Sequence, residues 1–336
     1  ISSPHTALFV WSALIIFVFL FTLLLFVRHM QKTFGLNNTQ KCVILWVAFF
    51  GTLRYFLTIV GQGQTDAFAA LLLVLFFLNY LKKRYLLCGI LFAVLLQFKL
   101  FFLPLLVYFF MKKEFKLILS SVLAALFLAL SPAIILGLPK TLFLTKSWFE
   151  ILNMSVPSQL LNFKNQSIPY GLFILLSKIS IIKNISCAQS VIYVTSTALS
   201  LLSYIGIFLA MGRDQKSNKE IPYLEFSLLL IASLIFSPIS WEAYYVSLII
   251  PLGITVWFIL NAQSKKLLWT LVAFYFLLVW SIGTDFTKVF VFLKNTRFIN
   301  ISIGTVFLVA AMLLAFGKHS NSNEKISGKV QPQNQI

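Results

Sequence analysis

The residues of this chain that could do chemistry are a few polar side chains set into apolar sequence at predicted helix ends. Gln64 and Asp66 lie in the run GQGQTD at residues 61–66, between two apolar stretches. Lys99 separates two apolar segments that are each too short for an ordinary spanning helix. A membrane protein keeps such groups only where protein masks them or where they line a wet cavity. Because a carboxylate can accept a proton and an ammonium can hold an anion, we predict a working site near one membrane face.

Two later segments carry side chains that suit a sugar. Asn165, Gln166 and Ser167 supply amide and hydroxyl groups, which match the donors and acceptors of sugar hydroxyls. Trp241 and Glu242 follow one another in the run SPISWEAYY. An indole ring stacks on a sugar face, and an aromatic belt at a membrane interface has no use for the neighbouring acid. We therefore predict that both segments contact substrate.

Ordinary structural roles compete with each of these interpretations. Thr65 or Asp66 can cap the helix that follows. Lys99 can reach the lipid headgroups from a short hairpin. The Asn165 and Trp241 segments can be a polar loop and an interfacial aromatic belt. The sequence alone leaves these alternatives open.

The composition places the whole chain in a membrane. Hydrophobic residues make up 60% of its 336 residues and charged residues 11%. Apolar runs of about 15 to 25 residues are too long and too continuous for the alternating strands of a membrane β-barrel. We therefore predict an all-α polytopic membrane protein.

Eleven apolar segments predict the membrane helices. Three of them, at 66–81, 85–98 and 100–111, fall short of the roughly 20 residues that cross a 30 Å hydrocarbon core, so we expect them to be tilted, broken or re-entrant. The other segments are 7–27, 42–60, 115–138, 188–211, 221–239, 243–260, 267–284 and 299–317.

Basic residues predict the orientation and the domain layout. Lysine and arginine cluster on alternate loops, which the positive-inside rule assigns to the cytoplasm. This bias explains most of the net charge of +18, so nucleic acid is not a predicted partner. The outer face then receives the 61–66 turn and a 139–187 loop with an interfacial helix, whose lysines suit membrane lipid or a lipid phosphate. We predict one domain over 1–317 and a disordered cytoplasmic tail over 318–336.

The sequence lacks the usual marks of metal and nucleotide chemistry. Three cysteines lie far apart, and only three histidines are present. No CxxC pair, glycine-rich phosphate loop or GxSxG elbow occurs. We predict neither a metal nor a cofactor.

The polar segments, in their order, resemble glycosyltransferase family 87. The resemblance covers roughly residues 1–260 and implies a GT-C-like bundle of membrane helices. Members are typically mannosyltransferases that take the sugar from a polyprenyl phosphate. The segments that carry it are GQ at a helix start, a basic KKR turn, GILFAVLLQFK ending in lysine, NQS in a long loop, and SPISW before an apolar span.

The resemblance also implies roles for individual residues. Lys99 and Arg54 would stabilise the departing polyprenyl phosphate while a carboxylate removes a proton from the acceptor. The acceptor would be a glycolipid or polysaccharide on the extracytoplasmic side, in a bacterial inner membrane. The family motifs correspond to Gln64, Lys99, Asn165, Gln166, Ser167, and Trp241 with Glu242.

Three departures from the family pattern qualify that implication. Leu100, not proline, follows the lysine, and Ala243 replaces a common histidine. The family usually carries a catalytic Asp in the first outer loop, and SSPHTALF at 2–9 resembles the tail of that loop. A removed signal peptide would also explain a chain that starts at Ile1, but we expect an N-terminal truncation, with the principal catalytic Asp upstream of residue 1 and Asp66 and Glu242 as the fallback acids.

Other functional classes remain as alternatives. A secondary transporter also has broken helices and buried charges, although the two halves of this chain show no internal repeat. A polysaccharide polymerase or ligase usually relies on arginines in large outer loops, and the 139–187 segment contains none. A non-catalytic membrane scaffold would tolerate the loss of the polar side chains.

Overall fold

The fold is helical throughout the part of the chain that can be described. The structure is a computed structural model that describes residues 3–162, 164–178, 185–211, 219–262, 265–281 and 299–327. Within them the α-helices are α1 Pro4–Phe34, α2 Asn38–Gln62, α3 Asp66–Leu81, α4 Tyr85–Phe98, α5 Leu105–Met111, α6 Phe115–Leu130, α7 Ala133–Leu136, α8 Leu138–Leu160, α9 Ile168–Lys178, α10 Ile185–Met211, α11 Ile221–Ile235, α12 Ile249–Asn261, α13 Lys266–Ser281 and α14 Asn300–Ser327. Two 3-10 helices, Leu100–Phe102 and Glu242–Leu248, precede α5 and α12.

The long and short apolar helices confirm an all-α polytopic membrane protein. Every predicted segment overlaps a helix, and the segments at 66–81 and 85–98 have the predicted bounds. The segment predicted at 115–138 is interrupted at Ser131 and Pro132, and the one at 221–239 leaves its helix after Ile235. Residues 282–284 of the segment predicted at 267–284 lie outside the described residues. The segment at 100–111 is broken between its 3-10 turn and α5, where Pro104 stands. Among the described residues, six helical segments are long and apolar enough to cross a membrane, namely Pro4–Phe34, Asn38–Gln62, Phe115–Leu136, Gln189–Met211, Glu242–Asn261 and Asn300–His319.

The polar residues singled out in the sequence stand where helices begin and end. α2 ends at Gly63, whose φ of 64° is a left-handed conformation that glycine adopts without strain. Asp66 is the first residue of α3, and the side chain of Thr65 makes no capping hydrogen bond there. α4 ends at Lys99, whose φ of −146° is extended. These breaks place Gln64, Asp66 and Lys99 at one end of three successive helices.

The enclosed centre of the bundle is the segment from Glu242 through α12. It is the most buried of the six candidate spans, whereas α6 is the least buried. A Cβ on Gly253 of α12 would lie 2.5 Å from the ring of Phe26, so glycine lets α1 pack closely against this helix. α6 instead leaves Leu119, Leu123 and Phe127 exposed, as expected for a helix that faces lipid.

Two segments contain more helix than the sequence predicted. α8 and α9 occupy much of the predicted 139–187 loop, and the position of α8 at the membrane interface stays a prediction. The tail predicted to be disordered from residue 318 begins inside α14, which continues to Ser327. His319, 2.9 Å from Glu220 of the segment before α11, anchors this continuation. Residues 328–336 lie outside the described residues.

Candidate active site

Asp66 and Lys99 form an ion pair at the end of the bundle where α3 begins and α4 ends. The Lys99 Nζ lies 2.8 Å from Asp66 Oδ1, and the side chains are 14% and 2% exposed. The same ammonium lies 4.1 Å from the ring centroid of Tyr244, where the electron-rich face of the ring attracts it. The second Asp66 oxygen, Oδ2, is buried and has no hydrogen-bond partner among the described residues. The pair therefore presents a shielded cation beside one unused carboxylate oxygen.

A second ion pair joins Arg54 of α2 to Glu242. The Arg54 Nη2 donates to Glu242 Oε1 at 3.2 Å, and its Nη1 donates to the carbonyl of Val279 in α13. Thr58, one helical turn after Arg54, donates to the other Glu242 oxygen at 3.2 Å. Both carboxylate oxygens of Glu242 are thus engaged, in contrast with those of Asp66.

Both ion pairs meet at the 3-10 helix Glu242–Leu248. Glu242 reaches Arg54 on one side, and Tyr244 faces Lys99 on the other. Phe101 stacks on Tyr244 with ring centroids 4.9 Å apart, which holds the ring beneath the ammonium. Two cations and two carboxylates balance one another here, so the site has paired charges without a large net field.

Four buried polar atoms in the segments that carry these pairs lack a hydrogen-bond partner among the described residues. They are Gln64 Oε1, Asp66 Oδ2, Ser240 Oγ and Trp241 Nε1. Leaving such an atom unsatisfied costs about 1–3 kcal/mol, so native proteins rarely keep several without a ligand or water to satisfy them. Two acceptor oxygens, one hydroxyl and one indole donor, all in segments predicted from the sequence, mark this end of the bundle as a candidate binding site.

The predicted NQS segment makes its visible contacts with the protein itself. Asn165 Nδ2 donates to the carbonyl of Pro238 at 2.9 Å, and its Oδ1 accepts from the backbone of Ser240 at 3.0 Å. The backbone of Gln166 donates to the carbonyl of Ser240 at 2.7 Å, and Ser167 Oγ donates to that of Pro238 at 3.4 Å. These bonds fix the loop that presents Trp241 and Glu242. A direct contact of the three residues with substrate stays a prediction.

The structure brings the four predicted segments to the same end of the bundle and adds residues that sequence analysis missed. Thr58 lies four positions after Arg54, so the helical period alone would have placed it on the same face. Tyr244 follows Glu242 by two residues and belongs to the run already singled out. The Val279 carbonyl has no sequence signal, because any residue offers the same backbone acceptor.

Comparison with known proteins supplies the family. The family model for glycosyltransferase family 87 matches residues 1–238, which is more than half of the chain. The chain belongs to glycosyltransferase family 87. This family 87 protein is therefore a membrane glycosyltransferase, and the matched region contains Asp66 and Lys99, whereas Trp241 and Glu242 lie just beyond it. Searches of curated proteins and of solved structures found no match.

Proposed function

We propose that this family 87 glycosyltransferase transfers a hexose, with mannose as the first candidate, from a polyprenyl-phosphate sugar to an extracytoplasmic glycolipid or polysaccharide. The observation that carries the proposal is the Lys99–Asp66 pair, with its unused carboxylate oxygen. A lipid-linked donor needs both an anion site and an apolar site. The ion pair would supply the first, and an apolar cavity lined by residues before and after Lys99 in the chain would supply the second.

The apolar cavity suits the isoprenoid chain of the donor. Its volume is about 640 Å³, and it is bounded by residues on both sides of Lys99, by α6 and by α8. An isoprenoid chain could enter this cavity directly from the bilayer, where it would gain van der Waals contacts, whereas the mostly apolar lining does not suit the polar groups of a nucleotide. Its lining includes Leu96, Leu100, Leu103, Ala125, Trp148 and Phe149.

Lys99 would hold the phosphate of the donor. An ammonium has three N–H donors, and Asp66 Oδ1 occupies one of them. As the bond from the anomeric carbon to the phosphate oxygen breaks, its electron pair passes to that oxygen and negative charge grows there. A preplaced ammonium in a site shielded from water stabilises this charge strongly. Arg54 would add a second positive charge, held in place by Glu242.

Asp66 is the better placed of the two predicted acids. As the acceptor oxygen bonds the anomeric carbon, its proton would pass to Asp66 Oδ2, the oxygen without a partner. Glu242 already accepts from Arg54 and Thr58 with its two oxygens, so we assign it to positioning Arg54.

The donor class is tested by offering labelled sugar in two forms. The full-length protein in lipid vesicles receives polyprenyl-phosphate mannose or a nucleotide-linked mannose, and label is followed into membrane glycolipid and polysaccharide. We expect transfer from the lipid donor alone, with a large loss in Lys99→Ala. Lys32→Ala, an exposed change in the last turn of α1 that does not line the cavity, should keep full activity. Transfer from the nucleotide donor, or full activity in Lys99→Ala, would refute the proposal.

A further inference from the structure

A second apolar cavity lies between α4 and α6 at the opposite end of α4 from Lys99. Its volume is about 850 Å³, within the range of pockets that hold a small ligand. Residues four apart fall on one face of a helix, so each helix contributes a continuous apolar stripe to the walls. The two stripes are Leu86, Ile90 and Val94 of α4 and Leu119, Leu123 and Phe127 of α6.

The mouth of this cavity is basic. Lys83 and Lys116 both line it and both are exposed. Tyr85 also lines the cavity, and its hydroxyl donates a hydrogen bond of 3.2 Å to the carboxylate of Glu114, the acid in the second turn. The same two turns carry further basic residues, namely Lys82, Arg84 and Lys113. Lys112 adds no free charge, since its ammonium lies 2.8 Å from Glu225.

The backbone of the two turns fixes where these lysines stand. Lys83 and Lys113 have φ values of 55° and 60°, a left-handed region in which glycine or asparagine is normally found. Arg84 and Glu114 each donate a backbone bond of 3.0 Å to the last turn of the preceding helix. The positive-inside rule explains why these loops contain lysine, but it does not explain why lysine occupies the two positions with a left-handed backbone. Of these two lysines, Lys83 lines the cavity mouth and Lys113 does not.

We propose that this cavity binds a phospholipid with an anionic headgroup. The acyl chain lies along the two apolar stripes, and the phosphate and headgroup lie between Lys83 and Lys116. A zwitterionic headgroup would bring a cation to a basic mouth, which disfavours it, whereas each lysine near an anionic headgroup favours binding by roughly a factor of five. Binding of a phospholipid at this lysine-mouth site does not depend on which sugar donor the protein uses.

A lipid at this site would support the helices that border the donor cavity. α4 carries Lys99 at its other end, and α6 lines both cavities. Ala124 faces the lysine-mouth site, and its neighbour Ala125 faces the donor cavity. Leu128 lines both cavities, but Ala124 lines only the first and Ala125 only the second, so substitutions at these two positions discriminate between the cavities.

The test is lipid competition read by native mass spectrometry. The full-length protein in detergent receives equal amounts of phosphatidylglycerol and phosphatidylcholine with identical acyl chains. We expect wild type to retain the anionic lipid at least tenfold over the zwitterionic one. Lys83→Asn/Lys116→Gln, which keeps a residue suited to the left-handed turn, should reduce the preference to near unity. Lys265→Gln/Lys266→Gln, two exposed lysines at the start of α13 that do not line the cavity, should keep it.

A blocking variant checks the cavity itself. Ala124→Phe should lower the number of retained lipids of either kind, whereas Ala125→Phe should leave the retained phosphatidylglycerol unchanged. Equal retention of the two lipids by wild type would overturn the proposal. So would an undiminished preference in Lys83→Asn/Lys116→Gln, whose changes lie at exposed positions that do not disturb the core.

Discussion

At the scale of single residues, the candidate site is built from acids and bases that hold one another. A buried ion pair is costly to break from one side, because the remaining charge is left without a partner. Asp66 and Lys99 share one contact and keep a carboxylate oxygen spare, whereas Glu242 has no spare oxygen. This difference separates a group that can take a proton from one that positions its neighbour.

The two acids are expected to respond differently to amide substitution. Asp66→Asn should lower kcat by roughly 10²–10⁴, the usual contribution of a general base. Glu242→Gln keeps the shape and an acceptor for Arg54, so we expect a smaller loss, expressed mainly in KM. Steady-state transfer rates with polyprenyl-phosphate mannose measure both. Equal losses of kcat in the two variants would contradict the assignment.

The Lys112–Glu225 pair at the other end of the bundle is expected to matter for stability alone. Glu225→Gln leaves a buried ammonium without its partner and should lower stability by about 3–5 kcal/mol. The double change Lys112→Met/Glu225→Gln removes the charge and should recover most of it. Thermal unfolding in detergent reports the effect, and transfer per folded molecule should stay at the wild-type level. An undiminished melting temperature in Glu225→Gln would contradict this account.

At the scale of elements, three loops decide the shape of the site. The turn after α2, the end of α4 and the Pro238–Glu242 loop each present polar residues, and Asn165 ties the third loop to the segment before α9. A loop held by several hydrogen bonds to backbone can position Trp241 more firmly than packing alone. Residues that hold the loop and residues that face the ligand should therefore behave differently when changed.

Gln64 and Asn165 provide that comparison. Asn165→Ala removes bonds to backbone groups and should lower stability by about 1–3 kcal/mol as well as activity. Gln64 Oε1 has no partner, so Gln64→Ala should lower activity while the melting temperature stays the same or rises. Melting and transfer assays on the same preparations separate the two roles. Loss of stability in Gln64→Ala with retained activity would reverse the assignment.

The elements near the site could be predicted because polar residues interrupt apolar runs at their ends. Asp66 and Lys99 mark helix bounds that the structure reproduces. The pairing of Arg54 with Glu242 could not be predicted, since 188 positions separate them and no local pattern records which helices pack together. The amide side chain of Asn165 predicted a functional loop. Its hydrogen-bond partners could not be predicted, because they are backbone groups, which residues of every type carry.

At the scale of the whole molecule, α6 stands between two cavities and faces lipid along much of its length. One cavity lies beside the Lys99 end of α4, and the other opens at the basic end. A bundle with apolar cavities on its lipid-facing side admits lipid substrates laterally, without passage through water. We therefore predict that the KM for the donor depends on the length of its isoprenoid chain.

Filling the donor cavity should discriminate between donors by the length of the lipid. Ala125→Phe occupies space in the cavity and should raise KM for a long polyprenyl-phosphate sugar. A donor with a short isoprenoid chain does not need that space, so its KM should change little. Ala124→Phe, on the adjacent face, is the matched control. Equal effects of Ala125→Phe on both donors would contradict the placement of the chain.

The central claim is that Lys99, held in place by Asp66, binds the phosphate of the lipid carrier. The most direct measurement is the affinity of polyprenyl phosphate for the full-length protein in lipid nanodiscs, compared with Asp66→Asn/Lys99→Gln. This double variant removes both charges with little change of shape, so it leaves no unpaired buried ion. The account predicts at least tenfold weaker binding of polyprenyl phosphate by the variant and unchanged binding of the uncharged polyprenol. Equal affinity of wild type and variant for polyprenyl phosphate would contradict it.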